Sequence, residues 1–215
     1  MTDQAQPPTS EAPDRDTSRL EAFSDGVLAV IITIMVLGLR DPAKPTFHEL
    51  GKAVPSLLVY LLSFAFIGIY WNNHHHLLRA TRRISGSVMW TNLHLLFWLS
   101  LIPFLTKWVA AFHDSSLPAS VYGMACLGAA IAFTILVRAI IRCNGADSEV
   151  ARAVGRDLKS YLSLFLYAAG VGCAWISPWI SYALYGSVSL IWFVPDRRFD
   201  RRPAADMAEG ASGPL

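Results

Sequence analysis

Six long apolar runs divide this chain, at about residues 24–39, 54–77, 88–110, 119–141, 158–177 and 179–194. Each is close to the roughly 20 residues that a helix needs to cross the hydrocarbon core of a bilayer. Lipid offers no partner for backbone N–H and C=O groups, so a run of this kind satisfies them internally as a helix. The pattern therefore predicts an all-α integral membrane protein with six transmembrane helices per chain. Charged residues make up 16% of the sequence, below the quarter or so of average soluble domains, and they gather at the ends and in short loops. Ser177-Pro178 places a tight turn between the last two runs, because proline disfavours helix in the residue before it and donates no amide of its own.

The first 18 residues are polar, with no apolar segment of the kind that marks a cleaved leader. Residues 1–18 read as a disordered cytoplasmic N-terminus, 19–195 as the six-helix membrane domain, and 196–215 as a disordered cytoplasmic tail. No internal repeat stands out, which argues against an inverted-repeat transporter. Cys126, Cys143 and Cys173 lack C-x-x-C spacing, which excludes a disulfide framework and a structural zinc site. The net charge of +2 points to no nucleic-acid partner; membrane lipids are the expected surroundings.

Fourteen of the 18 Lys and Arg residues fall at the N-terminus, in the 2–3 and 4–5 loops and in the tail. Arg40, Lys44, Lys52 and Lys107 lie on the other side. The positive-inside bias puts both termini in the cytoplasm. Tyr70, Trp71, Trp90, Trp108, Trp179 and Trp192 sit near span ends, as interfacial belts require.

That topology brings one polar level together. Arg19, Ser24 and Asp25 at the mouth of the first span share a depth with Trp71, Asn72, Asn73, His74 and His75 at the end of the second. Asn92 and His94 lie a turn or so into the third. A charge at the mouth of a membrane helix is costly unless it is paired or faces water. The expected arrangement is a hydrogen-bonded network that ties the first helix to the second and third, with Asp25 accepting from histidine, asparagine or indole N–H groups. Ser24 is expected to cap the first helix and Asp25 to complement its positive start. Adjacent helical residues point 100° apart, so His74, His75 and His76 do not converge on one ion. The H-E-x-x-H pattern, which sets two ligands on one face, is absent. No metal is expected. The same cluster keeps open a second function class, a membrane-embedded enzyme acting on a lipid or isoprenoid substrate at the cytoplasmic face. No nucleophile motif or phosphate loop accompanies it.

Three segments carry a family resemblance: Arg19-x-x-x-Phe23-Ser24-Asp25, then Tyr70-Trp71-Asn72-Asn73-His74-His75, then Asn92-Leu93 through Leu99-Ser100-Leu101-Ile102-Pro103-Phe104. In that order they resemble the signatures of the transmembrane protein 175 (TMEM175) family of potassium channels. The resemblance implies a homotetramer in which helix 1 of each subunit lines the pore, with Arg19, Phe23, Ser24 and Asp25 holding that helix in place. It implies a constriction at Val30, a contribution to potassium preference from Thr33, and a further apolar ring at Leu37. Ile34 shares that helix face by periodicity. Val30 departs from the larger isoleucine or leucine the family leads one to expect. Apolar rings can gate by dewetting, and a ring of hydroxyls can replace part of an ion's hydration shell. The conventional Thr-Val-Gly-Tyr-Gly filter is missing. The expectation is a weakly selective leak channel without a P-loop filter, passing potassium and other monovalent cations and needing no cofactor. No acidic ring or arginine ladder lies within a span, which argues against calcium conduction and voltage sensing. A single six-helix unit is similar to the bacterial members and implies the bacterial plasma membrane. The oligomer separates the two function classes: a pore with one helix per subunit requires symmetry, whereas an enzyme works as a monomer.

Overall fold

A computed structural model of the chain describes residues 15–154 and 158–193, and every regular element among them is helical. The helices are α1 (Arg15–Val36), α2 (Phe47–Arg79), α3 (Gly86–Ser100), α4 (Ile102–Ala111), α5 (Ser116–Asn144), α6 (Glu149–Val154), α7 (Leu158–Cys173) and α8 (Pro178–Phe193). By length and composition α2, the α3–α4 pair (Gly86–Ala111) and α5 are long and apolar enough to cross a membrane, and α7 is a shorter apolar helix. All six apolar runs are helical over most of their length. The third is split in two, and α6 is an additional short helix in the loop before α7.

Several expected boundaries are corrected. α1 begins at Arg15, so residues 15–18 belong to a helix and not to a disordered tail. Thr17, Leu20, Ser24, Leu28, Ile31 and Met35 recur every three or four residues and are all buried. That stripe carries the helix outward past the apolar run, and Asp16 sits favourably in its first turn. Ser24 is therefore mid-helix and not a cap. α1 ends at Val36 instead of 39, so Leu37 lies in the turn that follows. α2 gains two turns at its start, where the Thr46 hydroxyl accepts from the Glu49 amide at 3.3 Å. The break at Leu101 has a local cause. Pro103 has no N–H to give to the Leu99 carbonyl, and it stands at the start of α4, where a helix tolerates it. Leu101 keeps helical dihedrals (φ −78°, ψ −21°), so α4 continues roughly in line. α7 stops at Cys173, four residues before the expected end. Residues 1–14 and 194–215, which hold most of the two expected tails, lie outside the described residues.

α5 is the hub. It packs against α3, α4, α7 and α8, and thirteen of its 29 residues are buried. Small residues let its neighbours come close. Tyr185 of α8 fills the space beside Gly123 of α5 and Gly170 of α7, and a Cβ on either glycine would collide with its ring or hydroxyl. The Tyr185 hydroxyl donates to the Ala119 carbonyl at 3.2 Å. Trp98 of α3 lies over Gly128 in the same manner. A buried hydroxyl knot joins three helices deep in the bundle. Thr106 of α4 donates to Ser63 Oγ of α2 at 2.7 Å, and Ser63 donates to the Val59 carbonyl at 2.9 Å. With its one hydrogen spent, Ser63 accepts from the Tyr122 hydroxyl of α5 at 3.0 Å.

Candidate pore face and its anchoring cluster

α1 has two unlike faces. Its inner stripe packs against α2, α3 and α4. Its outer face is apolar and open: Val30 is 54% exposed, Ile34 51% and Leu37 81%. Phe23, seven residues before Val30, continues that face and is exposed as well. A groove runs along it, bordered across the gap by Pro103, Phe104 and Lys107 of α4. Thr33 is also exposed, and its hydroxyl donates to the Val30 carbonyl at 2.9 Å. Its hydrogen is bound to its own helix, so the oxygen's remaining lone pairs are what the side chain presents outward.

The polar residues that anchor α1 form two layers. The inner layer is fully buried. Ser24 donates to the Leu20 carbonyl at 2.9 Å and accepts from Asn92 Nδ2 at 2.9 Å. The Asn92 oxygen meets His74 Nε2 at 2.7 Å. The directions follow from the hydrogen count: Ser24 has one hydrogen, so Asn92 must donate to it, and the Asn92 oxygen can only accept, so His74 carries its proton on Nε2. His74 Nδ1 is left buried without a partner among the described residues. Three helices thus meet through one serine, one asparagine and one histidine.

The outer layer is half-exposed. Trp71 Nε1 donates to Asp25 Oδ1 at 3.0 Å. His75 Nδ1 lies 2.7 Å from Glu21 Oε1, off the line of an aligned hydrogen bond. The Trp71 and His75 rings stack with centroids 5.9 Å apart. Glu21 and Asp25 are four apart on α1 and face Trp71 and His75, four apart on α2, so two helix turns mesh. The Glu21, Asp25 and His75 ligand atoms lie within 4.8 Å of one another, close enough to hold a cation. The pairing with Trp71 already accounts for part of that geometry.

Other residues of the expected network point elsewhere. Asn73 donates to the Ile69 carbonyl of its own helix at 2.8 Å. His94 is exposed and accepts from Trp98 Nε1 at 3.0 Å. Asn92 and His94 are two residues, or 200°, apart on α3, so the buried one excludes the other. Arg19 and Asn72 are exposed and make no polar contact among the described residues. His74, His75 and His76 diverge as their spacing requires: the first is buried against Asn92, the second meets Glu21, and the third is exposed. Glu21 was absent from the expected set. Its signal was present in its position one turn before Asp25 on the same face.

Residues 19–103 match the family model described as "Endosomal/lysosomal potassium channel TMEM175". A potassium channel of Chryseobacterium sp. strain P1-3 is 46% identical over 183 residues, which cover 85% of this chain and 95% of that protein. This chain is a member of the TMEM175 family. A second relative in the family's range, a potassium channel of Streptomyces collinus, is 30% identical over 82% of this chain and 91% of its own length. The fold agrees with the crystal structure of a homologue, from Chamaesiphon minutus, of the lysosomal potassium-selective channel TMEM175. The TM-score is 0.71 at 28% identity, covering 83% of this chain and 97% of that one. The segment that matches the TMEM175 model contains both layers of the anchoring cluster and the outer face of α1. The hub helix α5 and the α7–α8 hairpin lie beyond it.

Proposed function

We propose that the chain is one subunit of a homotetrameric, potassium-preferring and weakly selective cation leak channel, with α1 of each copy lining the pore. The observation that carries this reading is the outer face of α1, where Val30, Ile34 and Leu37 leave an apolar stripe uncovered beside a hydroxyl whose oxygen faces outward. Four such stripes around an axis would make apolar rings narrow enough to expel water, with Thr33 oxygens supplying part of a cation's lost hydration. Larger monovalent ions shed water more cheaply, which favours potassium modestly and needs no carbonyl filter. The naming of the bacterial relatives as potassium channels supports the reading. The anchoring cluster would then hold α1 at a fixed rotation, so that the stripe and not the polar face meets the axis. The proposed setting is the bacterial plasma membrane with both termini cytoplasmic, in keeping with the Lys/Arg bias.

The enzyme alternative draws no support from the relatives. Within this chain the residues it would use are engaged with one another: Asn92 with Ser24 and His74, Asp25 with Trp71. Ion flux from liposomes separates the readings. The purified protein should pass potassium down its gradient faster than sodium, and Thr33→Ala should narrow that difference while conduction persists. A folded tetramer that passes neither ion, or a monomeric protein, would overturn the proposal.

A further inference from the structure

A second groove lies away from α1, between α3 and α5 at the end of the bundle where these helices meet the 80–85 connection. Ser85, Ser87 and Thr91 line one wall, and Ile135, Arg138 and Arg142 the other. Arg138 and Arg142 are one turn apart on the same exposed edge of α5. Among the described residues neither has an acidic or hydrogen-bonding partner. Arg82 is the contrasting case, because it reaches Glu149 at 3.4 Å. The opposite wall adds donors. Ser85 takes the Val88 amide on its side chain and the Met89 amide on its carbonyl. Among the described residues the Gly86 and Ser87 amides, in the first turn of the 15-residue α3, have no hydrogen-bond partner.

The groove is held in shape by Asn144 at the end of α5. Its Oδ1 accepts from the Arg82 and Arg83 amides at 3.1 and 2.9 Å, and its Nδ2 donates to the Arg83 carbonyl at 3.1 Å. Three bonds from one side chain fix the 80–85 connection against α5, and with it the distance between the two walls.

The depth of the groove says what kind of anion it fits. Arg138 and Arg142 lie in the last two turns of a helix apolar enough to span a membrane. Trp90, 75% exposed near the start of α3 at the same end, marks an interfacial level. Below the arginines the α5 edge turns apolar, with Ile135 and Ile131 exposed in succession. A free phosphate has no use for that flank, whereas a lipid lays its acyl chains there.

We propose that this groove binds the phosphate headgroup of an anionic phospholipid, held by the Arg138 and Arg142 guanidinium groups with its acyl chains along Ile135 and Ile131. Guanidinium forks match phosphate oxygens bidentately, and basic pockets between membrane helices are suited to such headgroups. The inference requires only that the chain lies in a membrane. It is independent of ion conduction, so the flux assay and this one succeed or fail separately.

Native mass spectrometry of the full chain, released from mixed phosphatidylglycerol and phosphatidylcholine, tests it. Phosphatidylglycerol should be retained in preference. R138Q/R142Q should cut that preference about thirtyfold, since each basic side chain near an anionic surface contributes on the order of 1 kcal/mol. Arg138→Gln alone, a single exposed change, should cut it about fivefold and serves if the double variant folds poorly. R79Q/R152Q, which removes two exposed arginines outside the groove, should leave the preference intact. An unchanged preference in the groove variants would overturn the proposal. So would an equal fall in the control pair, which would mean diffuse attraction. Inorganic phosphate bound as well as the lipid would also overturn it, because the groove would then be a bare anion site.

Discussion

α1 and α5 are held in the same bundle by opposite means. α5 is gripped by shape: Gly123 and Gly128 receive aromatic rings from α8 and α3, and nearly half its length is buried. α1 contacts its neighbours along one stripe and is fixed near its middle by two polar layers, with its other face uncovered. Packing by close approach leaves no freedom of position, while a hydrogen-bonded level fixes rotation and depth. A helix anchored in the second way can present a finished face to other molecules.

The largest effect should come from spoiling the shape-held side. Gly170→Leu puts a branched side chain into the Tyr185 ring, which is itself buried and tied to Ala119. Overpacking of this kind costs about 3 kcal/mol, and fluorescence-detected size exclusion should show loss of the monodisperse species. Normal elution and melting would mean that α8 can shift, and that shape does not govern this side. Asn92→Leu comes next. It leaves His74 Nε2 without a partner and Ser24 with only its bond to the Leu20 carbonyl in a buried site, at a cost of about 2 kcal/mol. Cross-helix hydrogen bonds in membranes average only about 0.6 kcal/mol, so the loss expected here comes mainly from the orphaned groups. A thermal melt lowered no more than that of an exposed control, such as Asn72→Leu, would show that the apolar stripe alone holds α1.

Asp25→Ala removes the Trp71 partner in the half-exposed layer. Its expected cost is about 1 kcal/mol, and its main consequence is a smaller share of assembled protein by size exclusion or light scattering. A stable tetramer with normal flux would break the link between the polar layer and assembly. Thr33→Ala should be the mildest in stability, within about 0.5 kcal/mol, because that side chain bonds only to its own helix. Its signature belongs to ion preference in the liposome assay. A large drop in melting temperature would instead make Thr33 part of the packing.

The six runs, the Ser177-Pro178 turn and the meeting of helices 1, 2 and 3 at one polar level were legible because hydropathy and motif spacing report them directly. The membership of the network was less so. Depth alone groups Asn92 with His94 and Asn73 with His74, and rotation about the helix axis then separates each pair. The start of α1 was hidden because Thr17, Leu20 and Ser24 form a stripe only when polar and apolar residues are counted together. The Ser63–Thr106–Tyr122 knot left no trace, since three hydroxyls in three apolar runs have no period and no order that predicts contact. Pro103 did announce the break in the third run, through the amide it lacks.

The Ser24–Asn92 bond joins residues 68 positions apart, and the Asp25–Trp71 bond 46. At ordinary synthesis rates the asparagine follows the serine off the ribosome by on the order of 3–14 s. Among the described helices α1 emerges first, and its composition does not by itself qualify it as a span. During that interval Ser24 has only the Leu20 carbonyl of its own helix, although Trp71 reaches Asp25 sooner. The inner polar layer therefore closes only once α3 is in place, after the outer one.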